Sequence, residues 1–252
     1  MMKRFFITLS YNGRSYCGWQ IQPNAMSVQE TLQEALSTLL RKEINVVGAG
    51  RTDSGVHARQ MIAHFDWDGN DFNSNDLCMK LNLFLTKDIA IHSIKEVTID
   101  AHARFSAISR TYSYHITREK DPFLHELKYR VSFDPDIELM NQLCLILNET
   151  DDFTSFSKLH TDVKTNICKI KHACWEKVGE DYVFTIKADR FLRNMVRSIV
   201  GTLLQAGRGR LSEEGLREII AAKNRSEAGE SVPAHALFLE TVEYPKEIWI
   251  CR

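Results

Sequence analysis

The sequence predicts an α+β fold built from two ferredoxin-like halves. Apolar residues alternate with polar ones in several short segments, as in half-buried strands, and recur every three to four residues in others, as in amphipathic helices. The order strand, helix, strand, strand, helix, strand in the first half returns in the second. That order is typical of RRM-like βαββαβ units, so we expect a continuous mixed, mainly antiparallel sheet.

In the first half, the predicted strands cover residues 3–11, 44–49, 61–67 and 89–99, and the predicted helices cover residues 27–40 and 75–85. Residues 3–11 alternate, whereas residues 89–99 are rich in β-branched side chains. The first helix opens with Ser27 followed three residues later by Glu30, a pattern that caps a helix N-terminus.

In the second half, the predicted strands cover residues 109–117, 167–177, 182–187 and 237–244, and the predicted helices cover residues 137–147, 190–205 and 212–223. In the 190–205 helix, Arg190, Arg193, Arg197 and Gly201 are spaced to share one face. We divide the chain into domains 1–104 and 105–252. Because no Pro- or Gly-rich linker separates them, we expect the halves to pack continuously.

Composition limits the classes of protein that fit. The 252 residues are 44% apolar, enough for a large core. The six cysteines show no Cys-x-x-Cys pair and the nine histidines no metal-ligand spacing, so we expect reduced thiols, no metal and no cofactor. No secretory signal or membrane span is recognisable, which predicts a cytoplasmic protein without a membrane partner.

The formal net charge of −1 does not exclude a nucleic-acid partner, because the distribution of charge matters more. Arginines recur in small groups, and a fold that gathers them would form an anion-binding cleft suited to unpaired RNA. The aromatic candidates for stacking on bases are Tyr11, Tyr16, Trp19, Phe105 and Tyr112. Core packing is the favoured explanation for each of them taken singly, except Tyr112, which lies beside Arg110 at a strand start.

The segment from Gly48 to Ala58 is the candidate active site. It follows a short apolar strand, and its glycines permit a tight turn and close approach of a ligand. Arg51 and Asp53 lie two residues apart, so in extended backbone the guanidinium can hold the carboxylate ionised. The alternative is an ordinary Asp-Ser-Gly turn with a surface ion pair.

Seven motifs in order carry a resemblance to a known family. They are residues 11–13 with 18–22, 27–29, 48–58, 105–107 with 110–112, 152–156, 191–201, and 233–234. On these residues the chain resembles the TruA family of bacterial-type tRNA pseudouridine synthases, nearly end to end.

The resemblance implies conversion of uridine to pseudouridine at positions 38, 39 and 40 of the tRNA anticodon stem-loop, without a cofactor. It also implies a homodimer with tRNA lying across both subunits. Asp53 matches the family's catalytic aspartate, Tyr112 its active-site tyrosine, and Arg51 and Arg197 its basic partners. An arginine from the second half that pairs with Asp53 is physically sensible, since a buried unpaired carboxylate loses its charge.

The chemistry leaves several roles open. Asp53 can attack ribose C1′, attack uracil C6, or remove a proton from C2′ to give a glycal. The target base must leave its stack, and Arg59 is our candidate for the vacated space. Tyr112 would stack on the uracil and could remove the C5 proton, or serve for packing alone. Arg110 is a further candidate for substrate binding.

Two other classes compete with this reading. A noncatalytic RNA-binding protein needs the arginines but not Asp53. A glycoside hydrolase needs a second carboxylate, and Asp66 and Asp68 are nearby in sequence, although strand alternation gives no reason to direct them at Asp53.

Two residues depart from the family pattern. Gln60 and Ala236 stand where the family usually has glycine. The first puts loop geometry and substrate range in question, and the second a turn.

Overall fold

The computed structural model of the protein describes residues 2–158 and 165–250. These residues form nine strands and five α-helices, which confirms the predicted α+β class. Strands β1 to β9 cover Lys3–Tyr11, Val47–Gly48, His57–Trp67, Ile89–Val97, Ser109–Thr117, Tyr129–Arg130, Ile170–Val178, Asp181–Ala188 and Leu237–Glu243. Helices α1 to α5 cover Val28–Leu40, Ser74–Phe84, Ile137–Glu149, Met195–Gly207 and Glu213–Ala222.

The chain divides into two compact units, which are described separately below. Unit 1 holds residues 1–108 and 239–252, and unit 2 holds residues 109–238. The division we drew after residue 104 gave the C-terminal segment to the second half instead. That segment groups with unit 1 because its backbone is bonded there: Ile108 N donates to Glu243 O at 2.9 Å, and Thr98 N donates to Ile248 O at 2.9 Å.

Unit 1 has the strand order of a split βαβ fold. Strand β1 lies between β4 and β3 and pairs antiparallel with both. Strand β2 pairs antiparallel with the far part of β3, with Val47 opposite His64 and Gly48 opposite Ala63. Strand β3 also borders β9. This arrangement leaves the β2–β3 loop, which carries Arg51 and Asp53, at the end of short strand β2.

Helix α1 forms as its sequence predicts. The Ser27 hydroxyl accepts a hydrogen bond from Glu30 N at 3.2 Å, which satisfies an otherwise unpaired donor of the first turn. The apolar face is fully buried at Val28, Leu32 and Leu36. The helix ends at Arg41, whose left-handed backbone (φ 53°) cannot continue it.

Unit 2 contains an antiparallel set of strands in the order β5-β8-β7, with β6 parallel to β5. A side-chain amide links α3 to β7. Asn141 Nδ2 donates to Trp175 O at 2.9 Å, and its Oδ1 accepts from Trp175 N at 2.8 Å. The pair satisfies backbone groups of the outer strand that no neighbouring strand bonds.

The predicted start of the fourth helix was wrong. Helix α4 begins at Met195, not at residue 190, because Asn194 adopts a left-handed backbone (φ 65°) just before it. Arg190 and Arg193 therefore precede the helix and share no helical face with Arg197.

Other boundaries differ less. Only Val47 and Gly48 of the predicted 44–49 strand form a ladder. Strand β3 starts four residues earlier than predicted, at His57, and β6 was not predicted.

In the described part of the chain, no helix is long and apolar enough to cross a membrane. All five cysteines of the described residues are free, as predicted.

A buried histidine lies in the sheet of unit 1. His64 on β3 is 5% exposed, and its Nδ1 accepts a hydrogen bond from Ala103 N at 3.1 Å. Burial, and then the charge of Arg4, lowers the pKa of His64 to about 4. Arg4 itself is held by Asp66 through two hydrogen bonds of 2.7 and 2.8 Å.

We expect this histidine to make the protein less stable in mild acid. Below the unfolded-state pKa of about 6.5, His64 binds a proton in the unfolded chain but not in the folded protein. The free energy of unfolding therefore falls as the pH drops from 6.5 towards 4. His64→Asn keeps an acceptor for Ala103 N but cannot be protonated. Its free energy of unfolding, measured by urea denaturation at pH 7 and pH 5, should fall less than that of the wild type, by about 1 kcal/mol after allowance for screening.

His125→Asn, at an exposed position of unit 2, provides the control. Equal loss of stability in wild type and His64→Asn would contradict the assignment.

Candidate active site

Asp53 occupies the first position of a tight turn in the β2–β3 loop. Its carbonyl accepts from Val56 N at 3.1 Å, and Gly55, third in the turn, has a φ of 79°. A positive φ at that position is the requirement of a type II turn, and glycine meets it without strain. The Asp53 side chain is half-buried.

The backbone beside Asp53 is fixed by a second loop, residues 12–19, which follows β1. Trp19 N donates to Thr52 O at 3.3 Å. Gly18, with a φ of 86°, approaches so closely that a Cβ there would lie 2.3 Å from Thr52 O and 3.1 Å from the carbonyl carbon of Asp53. No larger residue fits at position 18 unless the loop that carries Asp53 moves.

Hydrogen bonds join the 12–19 loop region to the β2–β3 loop on both sides of Asp53. The Tyr11 hydroxyl and the Thr52 hydroxyl are 2.9 Å apart, and both side chains are buried. Gly13 N donates to Nδ1 of His57 at 3.1 Å, so that nitrogen carries no proton. A Cβ on Gly13 would lie 2.0 Å from Val56 O. The segment that carries Asp53 is therefore held on its N-terminal side at Thr52 and on its C-terminal side at Val56 and His57.

Three aromatic candidates for RNA stacking belong to this support instead. Tyr11, Tyr16 and Trp19 are each 3–4% exposed, so their ring faces do not reach solvent. The Trp19 ring packs against Gly48, where a Cβ would lie 2.4 Å from it. The core explanation holds for these rings. Phe105, in contrast, is 75% exposed.

The arginines of unit 1 reach solvent. Arg51 is exposed, and its pairing with Asp53 stays a prediction. Arg59, on β3, has a 61% exposed side chain and lies 3.3 Å from a carboxylate oxygen of Glu240 on β9. Both arginines are positioned to meet a ligand in solvent.

Gln60, which departs from the family pattern, has a structural partner. Its Oε1 accepts a hydrogen bond from Val242 N on β9 at 3.2 Å. A glycine at this position could not make that bond. Ala236, the other departure, is fully buried in a short 3-10 turn, Ala234–Ala236, where its methyl group fills core space.

The remaining candidates belong to unit 2. Arg110 on β5 donates from Nη1 to Asp189 O at 2.8 Å and so anchors the connection after β8. Tyr112, two residues on, is half-buried and contacts the Phe191 ring edge-on, with centroids 5.1 Å apart. This contact fixes the plane of the tyrosine ring.

Arg197 on α4 is held by the segment 228–233. Its Nε donates to Val232 O at 2.7 Å, and Val232 N donates back to Arg197 O at 3.2 Å. Gly201, one turn later, allows close packing on that segment: a Cβ there would lie 1.8 Å from Glu230 O. The guanidinium is thus oriented by backbone rather than by a carboxylate of its own helix.

Sequence reasoning missed Arg225, which braces the same segment. Its two terminal nitrogens donate to Ala228 O at 3.3 Å, Gly229 O at 3.2 Å and the Ser231 hydroxyl at 2.9 Å. The Tyr114 hydroxyl donates to Pro233 O at 2.9 Å from the other side, and burial raises the pKa of this tyrosine well above its usual range. No spacing or motif signals these side-chain-to-backbone bonds.

The structure therefore places Asp53, Arg51 and Arg59 in unit 1 and Arg110, Tyr112 and Arg197 in unit 2. That the two sets act together stays a prediction. Among the described residues, no group of three or more His, Cys, Asp or Glu side chains is arranged to hold a metal ion.

Gly18→Ala should destabilise the protein for two reasons. The added methyl group must displace the Thr52 carbonyl, and the alanine must adopt a left-handed backbone conformation. We expect a loss of about 2–3 kcal/mol in the free energy of unfolding, measured by urea denaturation. Gly50→Ala is the matched control within the same motif: nothing lies within 4 Å of a Cβ there, and its φ is not in the left-handed range. An equal loss in the two variants would show that the Gly18 contact is not limiting.

Comparison with known proteins places these loops in a family. A family model described as tRNA pseudouridine synthase matches residues 7–106 and 149–245, which include both Asp53 and Arg197. The chain is 58% identical over 248 residues to tRNA pseudouridine synthase A of Parabacteroides distasonis, covering 98% of each chain. It is 55% identical to the protein of that name from Bacteroides fragilis, covering 98% and 99% of the two chains.

A third relative with that name, from Azobacteroides pseudotrichonymphae, is 53% identical, with 100% of both chains covered. The matches extend over the whole chain and include both units, so they do not rest on the Asp53 loop alone. The chain belongs to the tRNA pseudouridine synthase family.

Proposed function

We propose that this protein isomerises uridine to pseudouridine in tRNA, at positions 38, 39 and 40 of the anticodon stem-loop, with Asp53 as the catalytic carboxylate. The observation that carries the proposal is the Asp53 turn itself, which lies within the family match and is locked by Gly18 and Thr52. The three positions come from the resemblance of the sequence motifs.

Asp53 suits this reaction because its backbone is already ordered. The isomerisation breaks the bond from C1′ to N1 and forms one from C1′ to C5, so it needs no redox partner and no cofactor. Attack on C1′, attack on C6 and proton removal from C2′ all require an ionised carboxylate at a defined distance from the nucleotide. A rigid turn supplies that position without an entropic cost during the reaction.

The arginines are proposed to contact the extruded nucleotide, the space that it leaves and the Asp53 carboxylate. Arg59 is ion-paired with Glu240 at the surface, and such a pair contributes only about 0–1 kcal/mol, so its guanidinium can exchange Glu240 for RNA. We assign Arg59 to the space that the flipped base leaves, Arg51 and Arg197 to the charge at Asp53, and Arg110 to the substrate.

The assembly and location are also proposals. We propose a homodimer, with one tRNA in contact with both subunits, in the cytoplasm. Two modest basic surfaces acting on one large ligand would reconcile tRNA binding with the net charge of −1. Light scattering of the purified protein tests the dimer.

The hydrolase alternative is disfavoured by the partners of Asp66 and Asp68, the two carboxylates considered for the second acid. Asp66 is engaged by Arg4 on both oxygens, and Asp68 pairs with Lys42. Neither is left as the second acid that hydrolysis of a glycosidic bond requires. A noncatalytic RNA-binding role leaves unexplained why the Asp53 turn is held so tightly.

Replacing the carboxylate provides the central test. Asp53→Asn should reduce pseudouridine formation in tRNA transcripts by at least about 10⁴-fold, because the amide can neither attack carbon nor accept the proton. The dissociation constant for tRNA, measured by filter binding at fixed salt, should stay within about threefold of the wild-type value. Asp68→Asn removes a surface carboxylate of the same unit and serves as control. Turnover by Asp53→Asn at the wild-type rate would sink the mechanism.

Substitution of Tyr112 separates its two proposed roles. Tyr112→Phe keeps the ring that contacts Phe191 but has no hydroxyl to accept the C5 proton. If the hydroxyl moves this proton, kcat should fall by about 10²-fold or more with KM unchanged, as expected for loss of a general base. If stacking is the only role, Tyr112→Phe should be nearly fully active and Tyr112→Ala should be impaired. Single-turnover assays on the anticodon stem-loop distinguish the two outcomes.

A further inference from the structure

An exposed aromatic ring lies in the loop that follows β4 in unit 1. The Phe105 side chain is 75% exposed. The His102 ring lies against it with centroids 4.5 Å apart, and the guanidinium carbon of Arg104 lies 5.4 Å from the centroid of the Phe105 ring. Single exposed apolar residues are common, so exposure alone decides nothing.

The backbone that carries Phe105 is held by hydrogen bonds within its own loop. Nδ1 of His102 accepts from Arg104 N at 3.1 Å and from Phe105 N at 3.3 Å. His102 N donates to the Ser106 hydroxyl at 2.9 Å, and Ser106 N donates back to His102 O at 2.9 Å. Residues 102–106 therefore form a closed, self-bonded turn.

The base of this turn is anchored to the core of unit 1. Arg4 Nη1 donates to Ala101 O at 2.9 Å. Ala103 is held at both backbone groups: its N–H donates to His64 Nδ1, and its carbonyl accepts from the Tyr244 hydroxyl. The exposed ring thus stands on a rigid support, and a ligand that binds it need not order the loop first.

We propose that Phe105 is a stacking platform for an unpaired nucleobase of tRNA other than the uridine that reacts, with Arg104 contacting an adjacent phosphate. This inference rests on the proposed function, since it takes RNA as the ligand. An aromatic face beside a cation is the combination that binds single-stranded RNA without reading its sequence. Both ring neighbours, His102 and Arg104, are polar and nitrogen-bearing, which suits a base and a phosphate better than the apolar surface of a protein.

Binding assays on substituted protein test the platform. Phe105→Ala should raise the dissociation constant for the anticodon stem-loop by roughly 5- to 100-fold and leave kcat at saturating RNA within about twofold. Phe105→Trp should bind at least as tightly as the wild type, whereas Phe105→Leu, which keeps bulk without a π-face, should bind weakly. Arg104→Ala should reduce the slope of log K against log salt concentration by about the amount expected for the loss of one phosphate contact.

A matched control exists in unit 2. Phe123 is 88% exposed, so Phe123→Ala removes a ring at least as exposed as that of Phe105 and should leave RNA binding unchanged. Stem-loops with 2-aminopurine at successive unpaired positions give a direct signal. One position should show fluorescence quenching with wild type and Phe105→Trp, and the quenching should disappear with Phe105→Ala.

Three results would overturn the proposal. The first is wild-type affinity for RNA in either Phe105→Ala or Phe105→Leu. The second is a loss of kcat with unchanged affinity, which would make Phe105 a support of the active site. The third is a sedimentation coefficient of Phe105→Ala that differs from that of the wild type when both are measured without RNA. That result would assign the ring to a contact between two copies of the chain. Failure of the proposed function would appear differently, as tRNA that gains no pseudouridine with the wild-type protein.

Discussion

The contact between Gly18 and the Thr52 carbonyl is the constraint on which the geometry at Asp53 depends. It brings two backbones within a distance that no side chain tolerates, and a hydrogen bond from Trp19 N keeps them there. The same segment leads directly into α1, since Gly18 O and Trp19 O accept from Val28 N and Gln29 N. The position of the carboxylate is therefore tied to the first helix as well as to the sheet.

A comparable arrangement holds Arg197 in unit 2. Arg197 is fixed by the carbonyl of Val232, and close packing of Gly201 on Glu230 brings that carbonyl within reach. Because Nε is used for support, the planar guanidinium has a set orientation while its charge is retained. In both units, then, close packing of a glycine and a hydrogen bond with a backbone carbonyl hold the segment that carries the candidate side chain.

The sequence predicted those parts of the structure that depend on neighbours along the chain. The Ser27 cap, strand β1 and the turn at Asp53 follow from local patterns, and each formed as expected. The beginning of α4 failed because apolar spacing continued through residues 190–194, whereas the left-handed backbone of Asn194 is not visible in any spacing.

Long-range support was also beyond prediction. Gln60 meets Val242 across 182 positions, and Tyr11, Trp19 and Thr52 come together only when two loops close on each other. For the same reason an aromatic residue near arginines cannot be classed as core or as ligand contact before the fold is known. Tyr11 turned out to be buried and Phe105 exposed, although both lie in motifs of the same resemblance.

The return of residues 239–250 to unit 1 has a consequence for the order of events during synthesis. A ribosome delivers unit 1 almost complete, then all of unit 2, and only afterwards the segment that contributes Tyr244 and Trp249, whose rings pack edge-on against Phe6. The nascent first unit must therefore wait with part of its core uncovered while roughly half of the chain is still being made. Chaperone dependence of this protein would be concentrated in that interval.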